Sequence, residues 1–182
     1  MISRERALEL LREHVKTKNL VKHCLAVEAI MRALARRFGE DEEKWGIAGL
    51  LHDLDYDYTK GDPEKHCLVT MDLLKDEDVP QDVKDAILAH CGKKERKTLM
   101  EKAIYAADPT SGFIVAAALI RPEKKLEVVD VPFLKRRFKE KAFAKGANRD
   151  QMRSCEEMGL SLDEFLEISL NAMKEIAGEL GL

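Results

Sequence analysis

A chain of 182 residues that is 45% hydrophobic and 36% charged, with only five prolines, has the make-up of a helix-rich globular protein able to bury one good core. Its net charge of −3 speaks against wholesale electrostatic capture by nucleic acid, which is therefore not an expected partner. No apolar run approaches the roughly 20 residues that span a bilayer, and the charged start Met1-Ile2-Ser3-Arg4-Glu5 does not open a signal peptide, so no membrane partner and a cytoplasmic location are expected.

In chain order, the spacing of Leu20, Cys24, Val27, Met31, Leu34 and Phe38 predicts an amphipathic helix over 19–38, with His23 beside its apolar stripe and Gly39 at its end. Asp41 can cap the next helix, through Trp45, Ala48 and Leu51, which delivers His52-Asp53 near its C-terminal end. Asp55 to Pro63 reads as a loop, followed by a helix carrying His66 with Val69, Leu73 and Leu74. Pro80 suits the first turn of a helix that carries Val83, Ile87 and His90 and stops at Gly92. Thr98 and Glu101 form a capping box for a helix through Ile104 that ends with Asp108 just before Pro109. A separate apolar stretch runs from Phe113 to Ile120, and Thr110, Ser111 and Gly112 at its start would cap it or cradle an anion.

Further on, Leu126 to Val129 has strand character but no partner strand. Lys135 to Arg149 holds seven basic residues and one acidic, while Ser154 to Leu182 holds seven acidic residues, so the second stretch is expected to compensate the first. Ser161 and Glu164 read as another capping box, opening a terminal helix with Phe165, Ser169, Ala172, Ile176 and Leu180 on its apolar face. The expected architecture is all-α: one helical bundle core over 1–122 and a C-terminal helical extension over 123–182 packed on it.

His52 and Asp53 are expensive to bury bare, whereas coordination to a cation satisfies both. His23, His52, Asp53 and Asp108 make a set that leaves octahedral positions open, and His66 and His90 add donors for a second ion with Asp53 bridging. The mixture of imidazole and carboxylate suits Mn, Fe, Co, Ni or Zn, with Mg also admissible, better than Ca. His14 falls outside this set and is given no role. Cys24, Cys67, Cys91 and Cys155 lack Cys-x-x-Cys spacing, and three of them directly follow candidate histidines; they are expected to pack as thiols without forming disulfides.

The order His23, then His52-Asp53 preceded by two leucines, then His66, His90 and Asp108 resembles the HD-domain metal-dependent phosphohydrolase superfamily, named for its His-Asp doublet. The resemblance covers residues 20–110 and implies an all-α bundle, a first metal on His23, His52, Asp53 and Asp108, and a second on His66 and His90. It implies hydrolysis of a nucleotide or other small phosphate ester, mono- or diester, by metal-activated water, with His52 and Asp53 at the catalytic centre. Some members with this ligand order use a di-iron centre and dioxygen, and a non-catalytic metal- or nucleotide-binding regulatory module is the third alternative. Asp55 stands where many members carry a glycine, and with Asp57 it would either orient ligand histidines or sit in a solvated loop. Lys60, Lys93, Lys94 and Arg96 are the candidates for binding substrate phosphate, with Arg121, Lys135 and Arg136 as weaker ones, and Tyr56 and Tyr58 as rings that would stack on a base or cover the bundle's edge.

Overall fold

In the computed structural model, which describes residues 1–182, the longest predicted helix lies where its apolar spacing put it. Helix α1 (Arg4–His14) precedes it, and α2 (Lys18–Phe38) buries Cys24, Val27, Met31 and Leu34 along one face. Gly39 closes α2 in the left-handed region at φ +67°, where its N–H reaches back to Ala35 and Arg36. The Asp41 carboxylate accepts the Lys44 N–H and starts α3 (Glu42–Leu51).

Helices α2 and α3 meet backbone to backbone. A Cβ on Gly49 would stand 2.7 Å from the Cα of Glu28, so only glycine permits this approach. The crossing is held beside it by Glu28, which is buried yet paired with Arg4 at 2.6 Å and Arg32 at 3.0 Å. A buried carboxylate flanked by two guanidinium groups has its charge answered, and α1 is tied to α2 through the same contact.

Short helices α4 (Tyr56–Thr59) and α5 (Leu68–Leu73) follow, then α6 (Gln81–His90). His66 sits in the turn before α5 and not on a helix, because Cys67 adopts φ +73° and breaks the run. Cys67 is paired with Cys91 as a disulfide, which overturns the expectation that all four thiols stay free; Cys24 and Cys155 are buried free thiols.

Helix α7 (Leu99–Leu119) begins at the predicted Thr98 capping box, with both reciprocal bonds present. It does not stop at Asp108. Pro109 has no N–H to give the Tyr105 carbonyl, but Gln151 Nε2 donates to that carbonyl at 2.8 Å, and the helix continues. Thr110, Ser111 and Gly112 therefore lie mid-helix and form no N-terminal anion cradle.

The stretch from Leu126 to Val128 is a 3₁₀ turn and not a strand, with the Leu126 N–H donating to the Leu182 carbonyl. Helix α8 (Val131–Phe138), α9 (Arg149–Arg153), a 3₁₀ turn at Ser154–Met158, α10 (Leu162–Glu175) and α11 (Ala177–Leu180) complete the chain. Ser161 caps α10 by accepting the Glu164 N–H, whereas the Glu164 carboxylate is turned to Arg37 at 2.9 Å. Between the basic stretch and the acidic C-terminal segment the ion pair is Lys135 with Asp163.

There is no strand anywhere, and the fold is all-α. Helix α2 runs through the middle, with α3, α7 and α10 packed around it, and one continuous apolar cluster extends from Ile2 to Leu180. No helix is long and apolar enough to cross a membrane.

Candidate metal centre

Four of the six predicted ligands come together from three helices. α2 supplies His23, the end of α3 supplies His52 with Asp53 one residue on, and the middle of α7 supplies Asp108. His23 Nε2 lies 2.9 Å from Asp108 Oδ1, 3.2 Å from Asp53 Oδ2 and 3.1 Å from His52 Nε2. His52 Nε2 is 3.4 Å from Asp53 Oδ2 and 3.3 Å from Asp108 Oδ1. Bonds of about 2.1 Å to one ion place neighbouring donors about 3 Å apart on an octahedron and about 3.4 Å apart on a tetrahedron. The donor spacing therefore fits a single transition-metal or magnesium ion.

The other oxygen of Asp53 faces a second group. Oδ1 lies 3.3 Å from His66 Nε2 and 3.4 Å from His90 Nε2. Asp53 thus has one oxygen toward each pair of imidazoles, the placement a bridging carboxylate needs. Cys67 lies close to His66 and His90, but its disulfide with Cys91 withholds the thiolate that a metal would require.

Each imidazole has its Nδ1 occupied, which leaves Nε2 for the centre. His52 Nδ1 donates to the Gly49 carbonyl at 2.7 Å, His90 Nδ1 to Ile87 at 2.6 Å, and His66 Nδ1 to Asp55 Oδ1 at 2.7 Å. His23 Nδ1 lies 3.0 Å from the Ser111 hydroxyl, which itself donates to the Asp108 carbonyl and so accepts from the ring. Such bonds to the far nitrogen fix tautomer and ring orientation in metal sites. Asp55 is fully buried and also accepts the Thr70 N–H at 2.9 Å. Asp57 does something else: it accepts the N–H groups of Lys16 and Thr17 and pins the α1–α2 connection.

With these groups facing one another, burial pulls His23 down, but bonds to Asp108 and Asp53 outweigh it and raise the imidazole to about 10. His66 is likewise lowered by burial and raised more strongly by Asp53 and Asp55, to about 9. Burial pushes Asp53 and Asp108 up, yet the surrounding histidines hold both well below the usual carboxylate range. His52 is fully buried, whereas His23 is 23% and Asp108 26% exposed, so the centre opens to solvent at those two residues.

The predicted phosphate-binding residues are engaged elsewhere. Lys60 pairs with Asp57 at 3.2 Å, Lys93 donates to the Pro63 carbonyl, Lys94 pairs with buried Glu101, and Arg96 pairs with Glu157 while lying 3.7 Å over the Tyr105 ring. None of the four lines the clefts that border His23; Lys22 does. Lys22 is not among the residues expected from sequence, and Ser111, expected there as a cap or anion cradle, instead holds His23 Nδ1 from a position three residues after Asp108, the spacing of one helix face. Tyr56 packs edge-on against His66 and Tyr58 reaches His14, leaving both rings partly exposed.

The HD domain family model matches residues 20–128, a span that holds all six converging side chains. Among curated relatives, the chain is 32% identical over 96 residues to ribonuclease Y of Nitratidesulfovibrio vulgaris (strain DP4), covering 53% of this chain and 18% of that protein. It is 33% identical over 119 residues to ribonuclease Y of Aliarcobacter butzleri (strain RM4018), covering 65% and 22%. Ribonuclease Y of Acholeplasma laidlawii (strain PG-8A) is 29% identical over 113 residues, covering 62% and 20%. The chain spans about a fifth of the length of these relatives. No solved structure matches. With the family model covering more than half of its length and the His-Asp doublet at the centre of its site, the chain belongs to the HD domain family, whose superfamily consists largely of metal-dependent phosphohydrolases.

Proposed function

We propose that the protein hydrolyses a phosphate ester, a nucleotide or another small phosphorylated compound, at a centre of one or two divalent ions held by His23, His52, Asp53, His66, His90 and Asp108. The observation that carries this reading is the carboxylate of Asp53, with Oδ2 toward His23 and His52 and Oδ1 toward His66 and His90. Bound divalent ions supply Lewis-acid activation of water and neutralise charge at phosphorus. The protein's own part is to orient and to exclude: four Nδ1 bonds aim the imidazoles, His52 and His90 shut the inner side to water, and His23 and Asp108 leave the outer side open. Lys22, beside that opening, is the cation best placed to meet substrate phosphate.

The relatives carry the name ribonuclease, which places RNA among the phosphate esters to be tried despite the net charge of −3. The experiment is phosphate or product release from mononucleotides, p-nitrophenyl phosphate and short RNA by protein loaded with Mn, Co, Ni, Fe or Mg. His52→Ala and Asp53→Ala are expected to lose about 10³-fold in rate, the scale of the several kcal/mol a metal centre supplies. Turnover of none of these, or turnover that both variants retain, overturns the reading. Two irons per chain with oxygen consumption in place of phosphate release would assign the site to the di-iron oxygenases instead.

A further inference from the structure

Each imidazole of the second group is followed directly by a cysteine: Cys67 comes after His66 and Cys91 after His90. The disulfide between them ties the turn before α5 to the end of α6, the two segments that bring those imidazoles to Asp53 Oδ1. The Cys67 sulfur is fully buried and stands 3.7 Å from His90 Nδ1 and 4.0 Å from His90 Nε2. Its sulfur and one ring nitrogen each of His66 and His90 all lie within 4.8 Å of one another. Sulfur and nitrogen donors on one tetrahedral zinc, with bonds of about 2.3 and 2.1 Å, stand about 3.6 Å apart. A sulfur released from Cys91 is within a side-chain rotation of that spacing.

Both states of the pair are provided for. With the bond open, a thiol on Cys67 has the Ile87 carbonyl at 3.5 Å, whose second lone pair is free beyond the one given to His90 Nδ1. A thiol on Cys91 has the Leu88 carbonyl at 3.4 Å, so neither S–H lacks an acceptor. Access to the bond is one-sided. Cys91 is part-exposed while Cys67 is sealed, so an incoming thiolate meets the Cys91 sulfur and Cys67 departs on the inner side, beside His90. Cys24 and Cys155 lie outside this arrangement as buried free thiols.

We propose that Cys67 and Cys91 are a thiol–disulfide switch on the second metal position, which the reduced pair fills with the Cys67 sulfur and the closed pair leaves open. This rests on the reading of His66, His90 and Asp53 as holders of a second ion. With the bond closed, those three residues give a tetrahedral ion such as Zn(II) three protein donors and a free position for water or substrate, the arrangement of a catalytic site. With it open, sulfur supplies a fourth donor and the ion is enclosed, the arrangement of a structural one. The reductant is a dithiol. Its first thiolate bonds to Cys91 Sγ as the Cys67–Cys91 bond breaks and Cys67 leaves as the thiolate. Its second thiol then displaces Cys91, so two electrons pass to the pair and the dithiol ends as a disulfide. Of its two protons, one goes to Cys91 and the other to solvent as the ion takes Cys67. Reduction thereby withdraws the second ion from water and substrate, and oxidation returns it.

Cobalt(II) is the probe, because sulfur-to-metal charge-transfer absorption reports a thiolate ligand. The full chain is loaded with excess Co(II) in its oxidised form, and again after reduction with dithiothreitol that is removed by anaerobic gel filtration. The reduced protein is expected to show the sulfur band and the oxidised protein none. In competition titrations the reduced form should hold its second Zn(II) equivalent at least about tenfold more tightly. Cys91→Ser, which cannot close the bond, should show the band in both preparations, and Cys67→Ser in neither. Free thiols at all four cysteines of the denatured oxidised protein, no band on reduction, or a band that survives in Cys67→Ser overturns the switch. Uptake of a single equivalent in both states overturns it together with the two-ion form of the centre. No turnover enters the readout, so a failure of phosphate release beside an intact sulfur band strikes the phosphohydrolase reading alone.

Discussion

Asp55 shows how one loop residue can set the quality of a site it does not enter. Its carboxylate accepts from His66 Nδ1 and from the Thr70 N–H, while its own N–H donates to the Thr70 hydroxyl. Burial raises this carboxyl, but His66 and Thr70 outweigh it and lower the group from its ordinary value, so it stays an acceptor at neutral pH. A glycine there would offer no such bond. Asp55→Ala is expected to weaken uptake of a second metal equivalent by about 10–100-fold, the usual cost of losing a partner that orients a ligand, while the first equivalent on His23, His52, Asp53 and Asp108 is kept. Loss of the buried acceptor for Thr70 should also cost about 1–3 kcal/mol of stability in urea unfolding. Asp55→Asn, which keeps an acceptor for His66, should restore most of the second equivalent. Metal titration followed by calorimetry reads both; equal weakening of the two equivalents would refute this assignment of Asp55.

At the scale of elements, the doublet reaches His23 because α3 lies directly against α2 at Gly49. Gly49→Ala places a methyl group against the Glu28 backbone and is expected to cost about 1–3 kcal/mol, at the upper end because backbone cannot rotate aside as a side chain does. It should also loosen the four-donor set, since His52 takes its orientation from the Gly49 carbonyl; a urea midpoint equal to wild type with unaltered metal affinity would disprove the close crossing. Caps and apolar spacing made much of this legible beforehand: Asp41, Thr98 and the stripe of α2 each mark a helix end or face that the fold keeps. What was hidden depended on partners far along the chain. Pro109 reads locally as a helix stop, and α7 passes it because Gln151 satisfies the carbonyl that the proline orphans. With the helix read through, Asp108, Ser111, Gly112, Val115 and Leu119 share one face, the whole α7 wall of the site. Lys94 shows the same dependence on partners, since its pairing with buried Glu101 cannot be read from its nearness in sequence to His90. Leu126 looks like a strand residue by composition, yet its N–H is taken by the carbonyl of Leu182 and no strand forms beside it.

The six donors come from α2, the end of α3, the turn before α5, α6 and α7, so an ion bound among them would cross-link most of the bundle at its centre. Among these groups nearby carboxylates raise His23 to about 10 and His66 to about 9, in each case outweighing the lowering effect of burial. A histidine raised in the folded state contributes stability that is fully present below its unfolded value of about 6.5 and is lost as pH climbs through the folded value. The metal-free protein should therefore melt at progressively lower temperature between pH 7 and 10. Metal requires those imidazoles deprotonated, so affinity for Mn(II) should move the other way and strengthen over the same interval. At a free concentration of 100 times the dissociation constant the ion adds about 2.7 kcal/mol, which for a chain of this length raises Tm by about 5–10 °C. Melting curves at pH 6, 7, 8 and 9, with and without a fixed Mn(II) concentration, should thus diverge as pH rises, and the His52→Ala protein should show no divergence. A metal increment that stays constant with pH, or that survives in His52→Ala, would mean the ion binds elsewhere on the surface and that the buried cluster is a proton-held network alone.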